Sequence, residues 1–144
     1  LMIHNAMGDR ELPVYGDGLY VRDWLYVHDH CTAIWRVLEQ APPGEIYNVG
    51  GCCEKTNLEV VQAILARLGK STGLIRHVKD RPAHDRRYAT DAGKIMTTLG
   101  WRPSMTFDQG IIRTIDWYLA NQKWLANVVS GQYQQYYEKM YGNR

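Results

Sequence analysis

The sequence predicts an α/β (α+β) chain, a small mixed sheet with flanking helices, and three observations carry that expectation. Short apolar extended runs alternate with segments of helical period. Two pairs, Thr56/Glu59 and Thr106/Gln109, have the spacing of capping boxes that open helices. Gly69 and Gly100 stand where helices should end. At 144 residues and 45% hydrophobic content, the chain suits one domain over 1–144 and is too apolar for disorder.

In chain order, Leu1 to Met7 reads as the tail of a helix already under way. Leu1 is no initiator, so the chain is expected to begin mid-protein. Glu11–Tyr15 is a short strand whose Pro13 places it at an edge or a strand start. Gly16-Asp-Gly18 turns the chain into a second extended run, Leu19–Val27. From His28 or Asp29 to Gln40 the period is helical, with Cys31, Ile34, Trp35 and Leu38 on one face. Ala41-Pro-Pro-Gly44 stops that helix, and Glu45–Val49 is a strand entering Gly50-Gly51.

Thr56 heads the clearest helix, with a stripe of Leu58, Val61, Ile64, Leu65 and Leu68. Leu74–His77 is a strand, and Lys79 to Arg87 is a polar stretch. Asp91 to Leu99 forms a short helix. Thr106 opens a long one striped by Ile111, Ile112, Ile115, Tyr118 and Leu119. The tail from Gln122 to Tyr141 is helical with a break near Ser130-Gly131.

Several function classes are excluded early. A net charge of +2 spread along the chain gives no field for nucleic acid. No apolar run reaches the ~18 residues that span a bilayer, and the first residues lack the apolar core of a signal peptide. Three cysteines, two of them adjacent, build neither a disulfide framework nor a CxxC pair, which favours a reducing, cytoplasmic setting. Neither His28-Asp-His30 nor Cys52-Cys53 has zinc-ligand spacing, so no metal is expected. Gly16-x-Gly18 is followed by Val21 where the dinucleotide fingerprint needs glycine. No Ser/His/Asp or Gly-x-Ser-x-Gly arrangement is visible.

The chemistry therefore concentrates in a few candidates. The segment Lys79–Tyr88 places Arg81, His84, Arg86 and Arg87 in one loop, where guanidinium forks suit an anion, unless the loop is only a solvated charged surface. Arg22 lies in an apolar extended run and needs a partner, which is either a carboxylate or a ligand phosphate. Tyr15 either stacks on a planar base or packs like other tyrosines. Asn48, at a strand end, is either a ligand contact or a turn former.

Four motifs occur in order: Leu12-Pro-Val-Tyr-Gly-Asp-Gly18, Val21-Arg-Asp-Trp-Leu-Tyr-Val-His-Asp29, Tyr47-Asn-Val-Gly-Gly51 and Asp80-Arg-Pro-Ala-His-Asp-Arg-Arg-Tyr88. With Gly100-Trp-Arg-Pro103, they resemble the C-terminal part of the dTDP-glucose 4,6-dehydratase family of extended short-chain dehydrogenases/reductases, over essentially the whole chain. That resemblance implies a substrate domain whose N-terminal Rossmann half, with its NAD-binding loop, lies outside this sequence. It implies that Arg22, Arg81 and His84 are pyrophosphate and nucleotide ligands of a dTDP-sugar, Asn48 a nucleotide contact and Tyr15 a contact to the thymine base. The family oxidises C4 of the glucose, eliminates water across C5 and C6, and returns the hydride to C6.

Departures from the family matter as well. The family's Tyr-x-x-x-Lys is missing, because none of the ten tyrosines has lysine four residues later. No catalytic residue and no NAD binding are then expected of this chain alone. Ala83 stands where the family commonly has glycine. An exposed apolar face around Trp24 to Leu38 is expected, covered by the Rossmann half or by self-association. Two other readings stay open: the same portion of a UDP-sugar epimerase or decarboxylase, and a free-standing nucleotide-binding or assembly module.

Overall fold

The computed structural model describes residues 1–131. A short helix α1 (Met2–Met7) leads into strand β1 (Leu12–Tyr15), then β2 (Val21–Asp23) and helix α2 (Val27–Gln40). Strand β3 (Glu54–Thr56), helix α3 (Asn57–Leu68), strands β4 (Ile75–Val78) and β5 (Arg87–Tyr88), and helices α4 (Gly93–Thr98), α5 (Phe107–Ala120) and α6 (Gln122–Val129) follow. The expected mixed pairing is present but divided between two small sheets. β1 and β4 run parallel, while β2 lies between antiparallel β3 and parallel β5.

Local chemistry explains the clearest elements. Thr56 Oγ1 accepts the Glu59 N–H at 3.2 Å, and Glu59 Oε2 accepts the Thr56 N–H at 2.7 Å, closing the capping box. Gly69 ends α3 at φ +64°, a left-handed conformation that costs glycine nothing. Thr106 and Gln109 cap α5 in the same reciprocal way. The principal core joins α3 to α5, α1 and β1 through Val60, Val61, Ile64, Leu65, Ile115, Ala6, Leu12 and Val14. Leu65 and Ile115 are fully buried, each contributing ~2 kcal/mol by loss of apolar surface from water.

A second core holds Ala33, Ala92, Ile95, Leu99 and Trp101. α2 turns Asp29 and Ala33 inward, whereas Ile34, Trp35 and Leu38 are exposed, Leu38 at 74%. Polar bonds select that orientation. Asp29 accepts the Ser104 hydroxyl at 2.6 Å and the Met105 N–H at 3.2 Å, and Trp101 Nε1 donates to Thr32 Oγ1 at 3.0 Å. Trp24 and Leu25 are partly buried, so the expected apolar face narrows to α2.

Residues 45–49 keep an extended alternation, with Tyr47 and Val49 turned towards the second core, but form no strand. A strand requires a laddered neighbour, and no described strand lies beside them. The run Leu19–Val27 shortens to β2, and Val27 already belongs to α2. β3 is additional. Of the Gln122–Tyr141 helix, the part through Val129 is present, Ser130 terminates it, and the remainder lies outside the described residues. No helix among the described residues is long and apolar enough to cross a membrane.

Candidate functional site

Between β1, β2 and the loop after β4 lies a cleft of about 350 Å³, and four of the five sequence candidates line it: Tyr15, Arg22, Arg81 and His84. Tyr15 comes from the end of β1 and Arg22 from the middle of β2; Arg81 and His84 come from the loop leaving β4. Backbone pairing brings them together. The parallel β1–β4 ladder sets Tyr15 opposite Val78, and the Val21 N–H donates to the Arg86 carbonyl at 2.9 Å as β5 joins β2. Asn48 does not line the cleft; it sits exposed in the segment before Gly50.

That segment is nonetheless fastened to β2. Asp23 accepts the Gly51 and Cys53 N–H groups, both at 2.8 Å, so this carboxylate is engaged by backbone and not by Arg22. The approach explains Gly51, where a Cβ would overlap the Trp24 carbonyl oxygen.

The loop's cations divide into two groups. Arg86 grips Asp17 with two hydrogen bonds, 2.8 and 2.9 Å, and Arg87 grips Glu54 at 2.6 and 2.5 Å. The Arg86 fork, with the Leu19 N–H, holds the Asp17 carboxyl at a pKa of about 2. Arg87 likewise lowers Glu54. These two arginines, expected from the sequence to converge with the others on one anion, are instead structural. Among the described residues Arg22 and Arg81 have no carboxylate partner, and the Arg22 Nη1 donates to the Val21 carbonyl at 2.6 Å. Two guanidinium groups thus line one cavity, an arrangement whose chemistry suits an anion.

His84 completes the wall. Its Nδ1 lies 2.8 Å from Asp80 Oδ1, and its ring stacks on Tyr20 at 3.9 Å between centroids and 16° between planes. Tyr15 meets it edge-on at 5.8 Å and is 45% exposed, leaving much of its ring open to a ligand. Ala83, next to His84, has φ +54°, which supplies the physical reason for a glycine at that position. Sequence reasoning did not single out Tyr20, Asp80 or the cleft residues Trp24 and Asn57. The four-residue step from Asp80 to His84 was the available signal.

A larger cavity of about 550 Å³ lies between Trp24–Val27 and α5. Its wall is largely aromatic and aliphatic, with Arg113 as the charged side chain among the described residues and Tyr26, Thr106, Thr114 and Tyr118 as hydroxyl-bearing neighbours. The Gly16–Gly18 turn joins β1 to β2 and opens no helix, so it lacks the N-terminal N–H array that holds a dinucleotide pyrophosphate. The described residues do not fit NAD. They contain no group of three or more His, Cys, Asp or Glu placed to hold a metal ion.

Comparison with known proteins agrees with this geometry. The GDP-mannose 4,6 dehydratase family profile matches residues 1–114. The chain is 54% identical over 142 residues to the dTDP-glucose 4,6-dehydratase of Xanthomonas campestris pv. campestris, covering 92% of this chain and 40% of that protein. It is 50% identical to the Salmonella typhimurium enzyme of the same name, covering 100% of this chain and 42% of that protein. A crystal structure of dTDP-glucose 4,6-dehydratase from Bacillus anthracis, in complex with NAD, superposes with a TM-score of 0.80 at 50% identity over 85% of this chain and 39% of that one. The chain thus spans about 40% of the length of these relatives. By the extent of the profile match and the placement of these motifs on the shared fold, the chain belongs to the GDP-mannose 4,6 dehydratase family, in which its relatives at 47–54% identity are dTDP-glucose 4,6-dehydratases.

Proposed function

We propose that this chain forms the nucleotide-sugar-binding wall of a dTDP-glucose 4,6-dehydratase. One observation carries the reading: two guanidinium groups without carboxylate partners among the described residues, Arg22 and Arg81, line one cleft with a tethered His84 and an open Tyr15 ring. The guanidinium pair and His84 take the two phosphoryl groups, and Tyr15 takes the thymine. Holding the nucleotide at this distance from the reacting carbons positions the hexose without direct participation in bond making. Asn48 serves as a nucleotide contact on the segment fastened by Asp23. The proton and hydride chemistry and the NAD site belong to the Rossmann half that accompanies this portion in the relatives. The exposed α2 stripe of Ile34, Trp35 and Leu38 is the surface against which that half packs. Three thiols with no disulfide are in keeping with a cytoplasmic setting.

The test is calorimetric titration, in the enzyme polypeptide carrying this segment, with dTDP-xylose. That analogue keeps the diphosphate but has no C6 and undergoes no dehydration. Arg22→Ala and Arg81→Ala should each weaken binding by ~2–3 kcal/mol, about 30- to 150-fold, the worth of a charge-assisted contact. Unchanged affinity in both variants rejects the assignment. UDP-xylose binding more tightly than dTDP-xylose rejects the choice of base and returns the chain to the UDP-sugar enzymes.

A further inference from the structure

We propose that Asp80 is a positioning residue that fixes the tautomer of His84, so that diphosphate binding is coupled to uptake of one proton at His84 Nε2. The inference rests on the cleft being the diphosphate site, as argued above. An ionised carboxylate only accepts hydrogen bonds, so the 2.8 Å contact between Asp80 Oδ1 and His84 Nδ1 puts the ring proton on Nδ1. The neutral ring then presents a lone pair at Nε2. A lone pair repels a phosphoryl oxygen, and only the imidazolium offers it a donor.

The ring has little freedom to turn the other way. It is clamped between stacked Tyr20 and edge-on Tyr15, with a side-chain exposure of 4%. Tyr20 is itself fixed from behind, because the Arg86 guanidinium lies 4.9 Å from its ring centroid and is held by Asp17. Asp80 Oδ1 also accepts the Arg81 N–H at 2.9 Å, so one carboxylate orders two residues of the cleft wall. Nε2 makes no hydrogen bond to the described residues. Among the described residues no fully buried side-chain nitrogen lacks a partner, so Nε2 keeps contact with solvent.

The charges around the ring give the coupling its sign. Asp80 bonds the ring, and Arg22 and Arg81 share its cleft. The Arg86 charge over Tyr20 is matched by Asp17. A diphosphate bridging the two guanidinium groups brings negative charge beside the ring and draws a proton onto Nε2. By linkage, affinity falls as pH rises, approaching tenfold per pH unit where the proton is fully coupled.

Calorimetry with dTDP-xylose in buffers of different ionisation enthalpy tests this in the same enzyme polypeptide, from about pH 6 to 8.5. The phosphodiester of this ligand does not titrate in that range. Wild type should take up a proton on binding. His84→Gln should bind more weakly, with no uptake and a flat pH profile. Asp80→Asn is the discriminating variant, because its amide donates to Nδ1 and leaves a neutral Nε2–H facing the cleft. It should retain binding, lose proton uptake, and exceed wild type at alkaline pH, which a merely structural role for Asp80 would not produce. Absence of uptake in wild type, or its persistence in His84→Gln, overturns the inference, and the earlier reading stands if Arg22→Ala and Arg81→Ala still bind weakly. If those two variants bind normally, both fail.

Discussion

The two arms of the loop between β4 and β5 contain the same kinds of residue and do opposite things. In the arm through Arg81 and His84, the cations face a cavity, and the one nearby carboxylate, Asp80, bonds the imidazole and a backbone N–H rather than a guanidinium. In the arm through Arg86 and Arg87, every guanidinium is matched bidentately by a carboxylate. The second arm anchors the loop to the turn after β1 and to β3, and that anchorage lets the first hold unneutralised charge in place. Arginine content alone is therefore a poor guide to an anion site; what matters is which arginines the fold leaves without a carboxylate.

Breaking the first arm should give the largest effect. The double variant Arg22→Ala/Arg81→Ala should weaken dTDP-xylose binding beyond either single variant, by ~4–6 kcal/mol if the contacts are independent. A double variant no weaker than the singles would show that the two guanidinium groups act as one contact. Ala83→Gly should have an intermediate effect, read as thermal stability. Relief of the left-handed φ at 83 is worth ~1 kcal/mol, partly offset by the added freedom of glycine in the unfolded chain. A lower Tm in that variant would show that the strain is absorbed elsewhere. The smallest effect belongs to the second arm, where Arg86→Ala should reduce nucleotide affinity far less than Arg81→Ala, because the ion pair is exposed. Its pH signature has a definite direction. Asp17 titrates near 2, below its ordinary value of 3.8, so the pair's contribution is complete above about pH 4 and is lost as pH falls towards 2. Carboxyl NMR of Asp17 checks this, and Arg86→Ala should restore the ordinary value.

What was legible in the sequence was local. Both capping boxes and the Gly69 terminator were readable because donor and acceptor lie three residues apart. The periodicity of α2 located an apolar stripe, but the bonds that turn it outward, which Asp29 accepts from Ser104 and Met105, reach over seventy residues away and carry no spacing signal. β3 carried no apolar signal. Glu54-Lys-Thr56 is a strand because β2 lies beside it. Residues 45–49 showed the converse, an alternating pattern with no neighbouring strand. For the cleft, four residues came from family motifs, but the division of labour among the arginines depended on Asp17 and Glu54, which no spacing rule connects to them.

The parallel register of β1 with β4 bears on the order of assembly. Leu12 meets Ile75 only after the whole intervening chain, with α2 and α3, has been gathered into a closed loop. Tyr15 lies at one end of that closure and His84 just beyond the other, so the cleft wall arises late, as a product of nearly complete folding. On the proposed reading, a nucleotide bound across it acts as a latch on a long-range pairing, and its stabilising effect should be felt in global unfolding rather than in local fraying.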